Sequence, residues 1–275
     1  MSMKVYGIDF TSTPKRRKPI TCLECWLDGN RLHAGELSEW QSFEKFEDAL
    51  RRPGPWIAGI DFPFGLPRKF IENKDWPNTW QGYVKYVNTL GRKEFRAKLD
   101  DYRVKRPAGD KEHRRATDIK AGSISPQKLY GTPVGLMFFE GAPRLLEAGV
   151  TIPGLLHGDQ RRIVVEAYPG VLARSLIGRR SYKQDAKRKQ TQDQYEARKE
   201  LFEKVTGNGI FETHGLHVTA PGSLADDPGA DHLDALLCAI QAGWSLMQKN
   251  ANYGVPRPND SLEGWIADPG VSTTM

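Results

Sequence analysis

At 275 residues, with 39% hydrophobic and 27% charged side chains, the chain can bury a substantial core. No stretch approaches the ~18 consecutive apolar residues of a membrane helix, and the first segment enters a strand with no signal-peptide pattern, so a cytoplasmic protein without a membrane partner is expected. Three cysteines exclude a disulfide framework, and 40 basic against 34 acidic residues (net +6) suit a polyanionic partner such as nucleic acid.

In chain order, Lys4 to Phe10 is an apolar, β-prone run that closes on Gly7-Ile8-Asp9-Phe10 and meets turn chemistry at Thr11-Ser12-Thr13-Pro14. Thr21 to Leu27 and Arg31 to Leu37 read as two more strands, joined by Asp28-Gly29-Asn30, a hairpin signal. Cys22 and Cys25 spell C-x-x-C, but strand residues three apart face opposite sides, which argues against a zinc pair. Ser42 can cap a helix to about Arg51, which Pro53-Gly54-Pro55 stops. A fourth strand, Trp56 to Phe62, ends in the same phrase as the first, Gly59-Ile60-Asp61-Phe62.

From about 69 to 160 the pattern changes to a basic, helical insertion. Trp80, Tyr83, Val84, Val87, Leu90, Phe95 and Leu99 recur at helical spacing, with a break or kink at Gly91. Arg103 to Pro126 reads as a long polar loop carrying Arg114 and Arg115, and an apolar, partly helical segment follows to Val150. Arg161 to Ala167 is a buried strand with Glu166 at its end, and Pro169 opens a helix through Ile177. Helices over Gln192 to Val205 and Asp231 to about Gln248 complete the body. Residues 1–250 therefore form one α/β domain interrupted by the 69–160 insertion, and 251–275 is a tail in which Trp265 can dock.

Five acids stand where an element starts or stops: Asp9, Asp61, Glu166, Asp231 and Asp234. Asp231 and Asp234 are three apart on one helix, as an N-cap and a first-turn acid would be. Were three such carboxylates to converge to about 4 Å, each pair would repel by about 4 kcal/mol at an effective dielectric near 20, which exceeds any capping gain. A cluster of that kind must take up protons or bind cations. Oxygen-only ligation points to Mg²⁺ or Mn²⁺, and two such ions can activate water and stabilise a leaving oxygen at a phosphodiester. Lys15-Arg16-Arg17-Lys18 follows the first Asp, and Arg114-Arg115-Ala116-Thr117-Asp118 in the insertion can reach the site as a basic, acid-tipped loop; both are candidate backbone-binding groups.

The order of three meandering strands, helix and strand, with acids at the ends of strands one and four and Asp-x-x-Asp on a late helix, resembles the RNase H-like superfamily. The fold class expected is an RNase H-like mixed sheet, three antiparallel strands followed by parallel ones, flanked by helices. More closely, Gly-Ile-Asp-Phe near the start, Gly-Ile-Asp-Phe-Pro-Phe-Gly-Leu-Pro at 59 to 67, Val-Glu-Ala-Tyr-Pro-Gly at 165 to 170 and Asp-His-Leu-Asp-Ala-Leu-Leu-Cys-Ala at 231 to 239 are similar to the domain-of-unknown-function 429 family of predicted nucleases. That resemblance implies a metal-dependent nuclease with Asp9, Asp61 and Asp234 as the metal-binding core, and Glu166 and Asp231 as further ligands. No acid of the first helix is an obvious ligand, although Glu44 or Glu47 is available.

Two other classes compete. Asp9-Phe10-Thr11-Ser12-Thr13 is similar to the hydroxyl-rich phosphate loop of the sugar kinase and actin group, which would make a phosphotransferase or ATPase, but no second such loop follows. A non-catalytic nucleic-acid-binding module is the other. His214 and His217 lack a third ligand nearby, His232 reads as a helix-start residue, and Ser12 and Thr13 have no sequence-evident base to make them nucleophiles.

Overall fold

The computed structural model describes residues 2–272. Three consecutive strands, β1 (Met3–Asp9), β2 (Ile20–Asp28) and β3 (Arg31–Trp40), form the expected antiparallel meander. Helix α1 (Phe43–Leu50) follows Ser42, which holds the N-cap position without a side-chain cap bond. Then comes β4 (Trp56–Ile60), which pairs parallel to β1. The insertion supplies α2 (Arg68–Asn73), α3 (Trp80–Val104), α4 (Ala116–Ala121) and α5 (Val134–Ala148).

Two further strands, β5 (Val150–Thr151) and β6 (Asp159–Glu166), lead into α6 (Pro169–Ile177), α7 (Gln192–Thr206) and α8 (Asn208–His214). The short β7 (His217–Thr219) and the long α9 (Asp231–Met247) close the body. The result is a mixed α/β fold on a seven-stranded sheet of order β5-β6-β4-β1-β2-β3-β7.

Each face of the sheet has its own core, and strand alternation decides which residue joins which. Tyr6, Ile8, Ala58 and Ile60 meet the insertion and α1, where Trp80, Tyr83, Phe95 and Phe138 pack. Val5, Ile57, Ile163 and Val165 meet α6, α7 and α9 on the other side. Cys22 and Cys25 fall into different cores, as the strand spacing requires; both are free, and burial pushes the Cys22 thiol up to about 12.

Helix α3 follows the predicted apolar stripe and breaks at Gly91, whose φ of 71° and ψ of 161° leave the helical region. The stretch expected as one loop contains α4, because Asp118 accepts from the backbone N–H of Arg115 and closes a helical turn that no apolar period announces. Helix α2 and strand β7 are too short to give a periodic signal. The tail is integral: Ile266 bridges Glu166, and the Ala267 N–H donates to the Glu166 carbonyl at 2.8 Å. Trp265 is half-buried beneath Lys120, 5.2 Å from its ring centre.

Helix α9 is buried along most of its length and lies on β1, β2 and β4. The doubled glycine permits this approach. A Cβ on Gly7 would sit 1.8 Å from the Ala235 carbonyl oxygen, and one on Gly59 would sit 2.3 Å from that of Cys238. Small residues at Ala235, Ala239 and Ala242 complete the seam. The repeated phrase thus has four jobs in turn: glycine admits α9, isoleucine enters the opposite core, aspartate stands at the strand end, and the two phenylalanines pack with ring centres 4.8 Å apart and planes tilted by 45°.

Candidate active site

Register carries the first two acids to one place. Ile8 pairs with Ile60, and the Asp61 N–H donates to the Ile8 carbonyl at 3.0 Å, so Asp9 and Asp61 leave adjacent parallel strands at the same rim and on the α9 side. Helix α9, held down by the glycines, brings its first turn over that rim with Asp231 and Asp234. Ala230, not Asp231, is the N-cap; Asp227 does the capping work, accepting from the N–H groups of Gly229 and Asp231. Asp231 is thereby released from the structural role its position suggested.

Electrostatics at the rim are strained. Burial raises the Asp9 carboxyl well above its ordinary value, and the negative charges of Asp234, Asp231 and Asp61 add to it. Asp61 is pushed up to about 7 by burial, with Lys183 opposing and Asp234 and Glu166 adding. Burial raises Asp231 too, against the pull of Lys18. Two ammonium groups answer these acids: Lys183 Nζ lies 2.5 Å from Asp234 Oδ2, and Lys18 Nζ lies 2.6 Å from Asp231 Oδ1. Tyr182 completes the Asp234 contacts, donating to Oδ1 at 2.7 Å.

Sequence inspection singled out neither Tyr182 nor Lys183. Both come from the aperiodic stretch between α6 and α7, where the only sequence signal is basic charge, the pair Arg179-Arg180 and the triplet Lys187-Arg188-Lys189.

Asp9 and Asp61 open onto a cleft of about 800 Å³. Its walls carry the hydroxyls of Thr11, Ser12 and Thr13 and the cations Lys15, Arg17, Lys18, Lys183 and Lys187, with Thr132 and Pro133 of the insertion opposite. Lys15, Arg16 and Arg17 are all exposed on the loop after β1, and Lys15 and Arg17 reach the lining. Arg92 ties this loop in place, donating to the Ser12 carbonyl at 2.8 Å and to the Thr13 hydroxyl at 3.2 Å.

Other expected site residues lie elsewhere. Glu166 pairs with Ile60, one residue short of Asp61, so its side chain leaves the sheet on the opposite face. There it is buried, with Oε1 and Oε2 at 2.5 and 2.8 Å from the Arg115 guanidinium, and Oε2 also accepts from the Phe64 N–H. It is a structural partner of Arg115 and not a member of the rim cluster.

Arg115 is corrected with it. The side chain is 1% exposed, clamped between Glu166 and Asp118, and cannot meet a nucleic acid. Arg114 is exposed but outside the cleft lining. Glu47 is held by Arg144 at 3.0 Å on the α1 side, and His232 by Glu39 at 3.0 Å. His214 is buried 3.4 Å from Asp268, while His217 stacks on Phe211, so the two histidines do not share a site.

The matched family spans residues 7–256 and is described as "Protein of unknown function (DUF429)". The chain belongs to the DUF429 family. That span contains both Gly-Ile-Asp-Phe phrases, Lys183 and the start of α9, so every residue of the DUF429 rim cluster lies inside it. No characterised protein and no solved structure matches the chain. Among the described residues of this DUF429 protein, no three His, Cys, Asp or Glu side chains converge tightly enough to hold a metal ion as they stand, and no helix is long and apolar enough to cross a membrane.

Proposed function

We propose that this protein is a divalent-metal-dependent phosphodiesterase acting on nucleic acid, built on an RNase H-like fold. The observation that carries the proposal is the placing of Asp9 and Asp61 on a cation-lined cleft beside the buried Asp234, with burial raising both carboxyls, the charge of Asp234 adding to both, and that of Asp61 adding to Asp9. Carboxylates crowded this way destabilise a resting protein; a site that uses them gives the crowding a reason. The order β3-β2-β1-β4-β6, antiparallel then parallel, supports the fold assignment.

The donor chemistry suits Mg²⁺ or Mn²⁺: hard carboxylate oxygens, with an ammonium at the place where positive charge is needed. Asp9, Asp61 and Asp234 would hold the metal, with Asp231 beside them. When bound, such ions supply an activated water and stabilise the departing oxygen. Lys15, Arg17 and Lys187 offer point charges for phosphate oxygens, and Thr11 and Thr13 offer hydroxyl donors. Glu166 has no part in this scheme.

Labelled DNA, RNA, hybrid and branched substrates, with ATP alongside, should be incubated with Mg²⁺ or Mn²⁺, using Asp9→Asn as the blank. Metal-dependent strand cleavage that falls at least about 100-fold in Asp9→Asn and in Asp61→Asn is expected. Cleavage unchanged in both variants would sink the mechanism. Release of phosphate from ATP without strand cleavage would favour phosphotransfer, and nucleic-acid binding with neither activity would favour a non-catalytic module.

A further inference from the structure

The acidic rim carries a cation of its own. Lys183 Nζ contacts Asp234 Oδ2 at 2.5 Å, and the charges of Asp9 and Asp61 also act on it. Its surroundings are uneven: the Lys183 side chain is 48% exposed, whereas that of Asp234 is 1% exposed. The ammonium therefore meets a buried carboxylate at the end of a stem that lies along the open cleft.

The backbone beneath it is anchored on both sides. Tyr182 is buried, its hydroxyl donates to Asp234, and its carbonyl accepts from Arg198 Nη1 at 2.9 Å. The next residue, Gln184, donates its N–H to the Pro228 carbonyl at 3.0 Å. With main chain held before and after it, Lys183 can move its ammonium by rotating its stem alone. A lysine stem has four rotatable bonds and a compact, strongly hydrated charge, so returning the head to water is inexpensive.

We infer that Lys183 is a built-in counter-cation: its ammonium stands in for a divalent ion between Asp9, Asp61 and Asp234, and swings into the cleft when that ion binds. This rests on the metal-dependent reading above and adds a device to it. Four aspartates share two lysine ammoniums at the rim, two more carboxyl groups than cations, and a divalent ion offers them a charge that one ammonium does not. Once displaced, Lys183 stands with Lys15 and Lys187 on the cleft wall, where a phosphate oxygen is the partner available to it. Metal loading and grip on the substrate are then linked through one side chain.

Two measurements on the full chain test the inference without recourse to activity. Mn²⁺ binding, followed by the spin-resonance signal of free Mn²⁺, should be about tenfold tighter in Lys183→Met and Lys183→Gln than in wild type, with Asp9→Asn as the weak-binding reference. In wild type, acylation of Lys183 by an N-hydroxysuccinimide ester, read by peptide mass spectrometry, should be several-fold faster with saturating Mn²⁺ than with EDTA. Equal or weaker binding in the Lys183 variants while wild type binds Mn²⁺ would overturn the inference and leave the metal-dependent reading intact. So would a labelling rate that Mn²⁺ does not move, a result that decides the matter even if neither variant folds. Absence of Mn²⁺ binding in wild type and variants alike would overturn both.

Discussion

The backbone N–H of Asp61 donates to the carbonyl of Ile8 at 3.0 Å, which locks the second acidic strand end to the first in register. Because that bond is between main-chain atoms, the proximity of Asp9 and Asp61 is a property of the sheet and survives changes in either side chain. Variants of the two acids consequently test chemistry rather than folding, and their effects on stability have a definite sign.

That sign follows from proton linkage. Asp61 is pushed up to about 7 in the folded chain, against about 3.9 in an unfolded one. Between those values the folded state binds the extra proton, so the stability it contributes is present at mildly acidic pH and is lost as pH rises through about 7. Urea unfolding in EDTA should show wild type losing roughly 1 to 3 kcal/mol between pH 5.5 and 8, a discounted figure for a side chain partly open to the cleft. Asp61→Asn should flatten part of that slope, Asp9 and Asp231 carrying shifts of the same sign, and be the more stable protein at pH 8. A wild type that gains stability over this range would contradict the assignment.

The seam between α9 and the sheet is the most exacting contact in the fold. Gly7→Ala places a methyl 1.8 Å from the Ala235 carbonyl oxygen and 2.5 Å from the Ala239 nitrogen, both backbone atoms that cannot yield without moving the helix. We expect a loss of at least about 3 kcal/mol, or failure to fold, and the same direction for Gly59→Ala. Gly29→Ala, where nothing lies within 4 Å but φ is +59°, provides the contrast of backbone strain without a clash and should cost only about 1 kcal/mol in thermal or urea unfolding.

Two arginines that look alike in sequence should behave in opposite ways. Arg115→Met removes the cation between Glu166 and Asp118 and leaves two buried carboxylates facing each other, a loss of about 3 to 5 kcal/mol by urea unfolding. Arg17→Ala, on an exposed loop at the cleft, should leave stability within about 0.5 kcal/mol. It should instead weaken nucleic-acid binding and reduce the slope of log affinity against log salt by about one. A reversal of these two phenotypes would move the nucleic-acid surface away from the cleft.

The local features of this protein were legible without a structure. Apolar, β-prone runs ending in turn chemistry mark β1 and β4, a stripe at helical spacing marks α3 down to its break at Gly91, and Pro169 marks the start of α6. These signals arise within one element, where period and punctuation suffice. The tertiary structure decided what depends on comparing elements. The face that Glu166 takes depends on its register with β4, where a one-residue difference sends its carboxylate to the side opposite Asp61. A basic run reads the same whether it meets solvent or, as Arg115 does, two buried acids. An aperiodic loop gives no sign of which side chain its path delivers to Asp234, and here that side chain is Lys183.

The doubled Gly-Ile-Asp-Phe stands between the two. Sequence alone put each aspartate at a strand end. Only the packing of α9 on Gly7 and Gly59 explains why the glycines precede those acids, and why the acids of a distant helix arrive at the same rim.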